Sequence, residues 1–178
     1  MHALGEEVAY RELLAALGAG ETPQTRLVWF HLTSMLHHAA MISKFLRPIS
    51  KKQSAATRGE ALRQALHVAE NSEVLPRDAR DNVEHFDERL DNWAEDAGPT
   101  LLEIVLEDRE AYDYLRVADK RVKRLIILDK MIFVSERKDN SKFELELTPM
   151  HEEVQRIGAA ATQWVRNKSP YHFIYPRA

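Results

Sequence analysis

An arginine and a histidine stand five positions apart in the run Arg80-Asp81-Asn82-Val83-Glu84-His85. Both side chains suit chemistry on a phosphate ester. An imidazole changes charge near neutral pH and can take or give a proton at a reacting oxygen. A guanidinium presents a planar fork of N–H donors that grips phosphate oxygens and steadies the extra charge of a transition state. Asp81 lies four residues before His85, the helical spacing at which a carboxylate can orient the ring. Asn82 can contact a ribose hydroxyl or a phosphate oxygen. On a helix, Arg80 and His85 point about 140° apart around the axis. Joint action therefore needs the reach of the arginine, or a two-fold axis that sets one subunit's Arg80 beside the other's His85.

The same residues also have a plain structural reading. Arg80 with Glu84, and Asp81 with His85, are i,i+4 pairs that steady an exposed helix by about a few tenths of a kcal/mol each. From 78 to 96 the chain carries eight acidic residues against two arginines, a local field that repels polyanions. Phosphate binding would then fall to two basic clusters: Lys44, Arg47, Lys51, Lys52 and Arg58, and Arg116, Lys120, Arg121, Lys123 and Arg124. Each of these also reads as a solvated face.

Helices must position this motif. Val8, Leu13, Leu14 and Leu17 fit a short first helix closed by Gly18-Ala19-Gly20. Thr22-Pro23 is a start signal, a hydroxyl cap followed by proline at the first helical position. Val28, Leu32, Met35, Ala39, Ile42 and Leu46 then recur at alternating steps of four and three, the stripe of a long amphipathic helix that Pro48 closes. A third helix is expected over 53–70, with Ala61, Leu62, Ala65, Leu66 and Ala69 inward. A fourth starts near Pro76 and carries the motif, with Ala79, Val83, Phe86, Leu90, Trp93 and Ala97 on its inner face and Gly98-Pro99 as its stop. From about 114 to 147 the pattern shortens. LIIL at 125–128, MIFV at 131–134 and FELEL at 143–147 read as strands, with a turn at 138–141 joining two of them into a hairpin and a tight turn at 129–130. Helix returns at Pro149, with Val154, Ile157, Ala161, Trp164 and Val165 inward. Trp29, Trp93 and Trp164 are expected to anchor the core. The segment SPYHFIYPRA at 169–178 reads as extended, packing back on the domain or reaching a partner. The expected fold is mainly α: a bundle of four to five helices in one domain over 1–178, with a small antiparallel β-sheet inserted at about 114–147 before the last helix.

An arginine, four residues and a histidine on a long helix, with a polar residue directly after the arginine, resembles the signature of the HEPN superfamily. The resemblance covers six residues and their helical setting. It implies an α-helical bundle, commonly dimeric, among whose members are metal-independent RNases, often toxins, and non-catalytic RNA- or nucleotide-binding modules. It further implies that His85 is the acid/base and Arg80 the phosphate clamp, that Asp81 and Asn82 assist binding, and that His37 or His38 lines the cleft beside His85. RNA, a second copy of the chain and an antitoxin-like protein are the partners so implied, and no cofactor is expected. The chain differs from the frequent pattern in carrying Asp81 where asparagine is common, and in the β-rich insert before its last helix.

Composition narrows the alternatives. The 178 residues are 44% hydrophobic and 30% charged, with a net charge of −3. This is ordinary for a folded domain and excludes nucleic-acid binding by sheer basicity. The absence of cysteine excludes disulfides, thiolate metal sites and a cysteine nucleophile. No Gly-rich phosphate loop, GxSxG elbow or HExxH pair occurs. Eight histidines leave open a metal site built from His37 or His38 with His85 and a carboxylate, although no metal is the expectation. The apolar stretch 27–46 is interrupted by His31, His37, His38, Ser43 and Lys44, so no membrane span is expected, and the acidic start lacks signal-peptide character. A cytoplasmic protein is the expectation. The alternative to an RNA-directed protein is a non-catalytic helical interaction module that uses the aromatic 169–178 segment and a sheet edge.

Overall fold

The computed structural model describes residues 1–18, 25–76, 78, 81, 91, 101–115, 122–137, 139 and 141–168. Within them the order is α1 (His2–Leu17), α2 (Thr25–Leu46), α3 (Gln53–Ala65), β1 (Leu101–Leu106), α4 (Arg109–Leu115), β2 (Val122–Ile127), β3 (Ile132–Glu136), β4 (Lys142–Glu146) and α5 (Leu147–Lys168). The molecule is mainly α with a small four-stranded sheet placed before its last helix, as the sequence pattern predicts.

α1 and α2 form a helical hairpin in which His2, at the start of α1, meets His38, late in α2. The stripe of α2 is as expected: Val28, Leu32, Met35, Ala39 and Leu46 are buried, with Ile42 partly so. α1 departs from expectation. Its buried face is Glu6, Ala9, Leu13 and Ala16, while Val8 and Leu14 face outward. Small residues on that face let two helices approach closely, and this outweighs the hydrophobicity of Val8 and Leu14. α3 ends at Ala65, earlier than 70. His67 adopts a left-handed φ of 52°, and the Val68 N–H bonds back to the Arg63 carbonyl at 2.8 Å, satisfying an end-of-helix acceptor. Leu66 and Val68 are buried by this turn, whereas Ala61 and Ala69 are exposed. Where α3 crosses the end of α2, a Cβ on Gly59 would stand 2.7 Å from both the Leu46 carbonyl oxygen and Pro48 Cδ, so only glycine permits this approach. Arg63 Nη1 completes the joint by donating to the Leu46 carbonyl at 2.7 Å.

The sheet runs β1-β2-β3-β4. Its expected antiparallel part is present, with Ile127 opposite Ile132 and Phe133 opposite Leu145. β1 lies upstream of the expected boundary near 114 and pairs parallel with β2, Leu101 against Val122, so the sheet is mixed. α4 lies in the connection between these two strands, as parallel pairing requires a crossover. One face of the sheet joins the main core through Ile126, Phe133, Phe143 and Leu145. The other gathers Leu125, Ile127, Ile132 and Val134 with Tyr112 of α4. Burial on both faces explains why LIIL and MIFV are continuous apolar runs while FELEL alternates.

α5 starts directly at the end of β4, two residues before the expected Pro149. Leu147, Met150, Val154 and Ile157 are buried. Burial then runs out among the described residues. Trp164 and Val165 are 48% and 49% exposed, contrary to their expected inward placement, because the core contacts of α5 belong to its first half. Trp29 is buried as expected, while Trp93 lies outside the described residues.

Candidate functional site

Asp78, Asp81 and Asp91 are helical, in agreement with a helix starting near Pro76. Asp81 is half-buried, and Asp78 holds Arg137 at 3.1 Å. Arg80, Asn82 and His85 lie outside the described residues, as do Gly98, Pro99 and the segment 169–178.

The two histidines assigned to the cleft behave differently. His37 is exposed on α2. His38 is turned against α1: its Nδ1 is 3.2 Å from Nδ1 of His2, and its ring lies where a Cβ on Gly5 would come within 2.5 Å of Nε2. Burial, then the nearby His2 and His37 imidazoles, lower the pKa of His38 and favour its neutral form. The two rings can share one N–H···N hydrogen bond, which commits His38 to the α1–α2 joint, while His37 is exposed. Among the described residues no group of three His, Asp or Glu side chains could hold a metal ion.

A second imidazole–carboxylate contact escaped the sequence pattern. Glu6 has no exposed surface, and its carboxylate lies 3.0 and 3.1 Å from His151 Nδ1 and accepts from Gln155 Nε2 at 2.9 Å. Tyr10 stacks on the His151 ring with centroids 4.1 Å apart, and its hydroxyl is 2.8 Å from Thr148 Oγ1. Burial raises the pKa of Glu6, while His151 and Gln155 act in the opposite direction. The one available signal was spacing: Glu6 precedes Ala9 and Leu13 by three and seven residues, on the inward stripe of α1. The arrangement fixes one ring nitrogen of His151 and ties α1 to α5.

The basic clusters also part company. Arg47, Lys51, Lys52 and Arg58 are exposed and Lys44 half-buried, at the end of α2 and the start of α3. In the other cluster, Lys123 and Arg124 are buried, not solvated. Lys123 lies 3.4 Å from Glu136, which also receives Lys142 at 2.8 Å. Arg124 pairs with Glu103 and lies 5.1 Å over the Trp29 ring. These pairs lock neighbouring strands together. Arg116, Lys120 and Arg121 lie outside the described residues.

No helix among the described residues is long and apolar enough to cross a membrane. Comparison with protein families, curated proteins and solved structures returns no match for this chain.

Proposed function

We propose that the chain is a HEPN-like protein that binds RNA and cleaves it without a metal, with Arg80 and His85 as the reacting pair. The observation that carries this reading is the arginine–histidine spacing itself, set between helical residues at Asp78, Asp81 and Asp91 in a mainly α molecule. In the proposed reaction the RNA 2′-oxygen attacks the adjacent phosphorus as its proton passes to a base. The P–O5′ bond breaks and the leaving oxygen takes a proton. The products are a 2′,3′-cyclic phosphate and a 5′-hydroxyl, and no outside reactant is consumed. His85 moves a proton, Arg80 holds the phosphate, and Asp81 and Asn82 orient ring and ribose. His37, exposed on α2, rather than His38, is taken to line the cleft. The exposed cluster of Arg47, Lys51, Lys52 and Arg58 supplies the backbone attraction that the acidic 78–96 run does not. A homodimer that brings Arg80 and His85 together across a two-fold axis, and an antitoxin-like protein partner, belong to the same proposal.

The test is cleavage of a labelled single-stranded RNA in EDTA by wild type, Arg80→Ala and His85→Ala. Loss of one partner is expected to slow cleavage about 10²-fold or more. Absence of both RNA binding and cleavage overturns the proposal. A non-catalytic interaction protein is then the reading, and the exposure of Phe30, Ile49 and Tyr114 favours it.

A further inference from the structure

Beside the first turn of α1, a groove of about 1370 Å³ opens between α1, the ends of α2 and α3, and the second half of α5. Leu4, Ile42, Phe45, Leu62, Ala161 and Val165 form its apolar wall. Leu4 is 65% exposed and Phe45 54%, so large apolar side chains face water among the described residues. Exposed apolar side chains gathered in one groove, with a polar rim, suit an amphipathic occupant.

Two stretches outside the described residues carry enough apolar side chains to fill it, and their anchor points separate them. The stretch between Asp78 and Leu101 has both its described ends at the sheet, where Asp78 binds Arg137 and Leu101 opens β1. Among the described residues no strand residue lines the groove. The stretch 169–178 follows Lys168 directly, and Asn167 is part of the groove wall. We propose that the groove receives residues 169–178 of the same chain. By its sequence, Pro170 has no N–H to continue a helix and disfavours helical geometry at the residue before it, so the segment is expected to turn from the α5 axis. Tyr171, Phe173 and Tyr175 alternate, the period that sets three rings on one face of an extended segment. Ten extended residues span about 33 Å. The α5 wall over 155–167 rises about 18 Å. The segment is therefore long enough to turn back and lie along the whole groove. Its rings meet the apolar wall, and the tyrosine hydroxyls meet a rim that holds Gln155 and Gln163.

The chain has no cysteine, so an introduced pair reacts without background. Full-length protein with Leu4→Cys and Phe173→Cys is oxidised in dilute solution beside protein with Phe30→Cys and Phe173→Cys. Phe30 is exposed and lies outside the groove wall. The first pair is expected to link within one chain at least about tenfold faster than the second, the mark of a high local concentration. A labelled peptide of sequence 169–178 is expected to bind full-length protein carrying Tyr171→Ser, Phe173→Ser and Tyr175→Ser. It should bind wild type at least about tenfold more weakly, because the resident segment occupies the site. Equal linking rates overturn the proposal. Linkage only between chains overturns it too, and gives the groove to a second copy.

Discussion

Replacing Glu6 separates two effects that its burial combines. The carboxylate satisfies His151 and Gln155, and it sits where an ionised group is costly. Glu6→Ala takes the carboxylate from His151 Nδ1 and leaves Gln155 only its bond to the Ala3 carbonyl, beside a void, and is expected to cost about 2–3 kcal/mol in denaturant unfolding. Glu6→Gln keeps the shape and a hydrogen-bonding end group without the charge. Because burial raises the pKa of Glu6, the folded state holds this proton more tightly than the unfolded chain does. Its favourable contribution is complete below the ordinary carboxyl value and is lost as pH rises through the raised one. Wild type should therefore lose stability relative to Glu6→Gln as pH climbs from about 4.3, the ordinary glutamate value. A constant difference between the two unfolding midpoints from pH 4 to 8 would contradict this. Glu6 was not legible from sequence because polarity argued against the inward stripe that its position occupied. A buried carboxylate becomes visible only once its partners on a distant helix are placed. The sequence offered His38 for a cleft beside His85, whereas its engagement with His2 depends on Gly5 allowing the close approach.

At the scale of elements, periodicity located α2 and the β3–β4 hairpin because their burial is one-sided or their turn residues are explicit. The end of α3 was missed because Leu66 and Val68 continue an apolar pattern while His67 breaks the helix, a backbone state that no side-chain period encodes. β1 was missed for another reason. The run LLEIVL lies at the sheet edge, half-buried over 104–106, and lacks alternation, so only length and context mark it as a strand. Trp164 and Val165 fall on the stripe of α5, yet the stripe outlasts the described surface that covers it. Gly59 tests the α2–α3 joint. Alanine there gains about 1 kcal/mol of helix propensity. Its Cβ would also be driven against the Leu46 carbonyl and the Pro48 ring, contacts that cannot yield as a flexible side chain would. We expect a net loss of up to about 2 kcal/mol for Gly59→Ala, since overpacking of this kind costs about 1–3 kcal/mol before the propensity gain. An unchanged or raised melting temperature would show that α3 can move away from α2.

For the whole molecule, a net charge of −3 means that any hold on RNA must come from a local surface. The exposed cluster at the α2–α3 junction is the described surface that qualifies. Lys51→Glu with Lys52→Glu should weaken RNA binding and flatten its dependence on salt, each lost phosphate contact lowering the slope by about 0.7 for single strands. An unchanged slope would place the RNA elsewhere. The central claim is most directly tested by the chemistry of the ends that wild type leaves on a labelled RNA in EDTA. Cyclic 2′,3′-phosphate and 5′-hydroxyl termini that disappear with His85→Ala are the predicted result. Termini bearing 5′-phosphate and 3′-hydroxyl, or cleavage undiminished in His85→Ala, would contradict it.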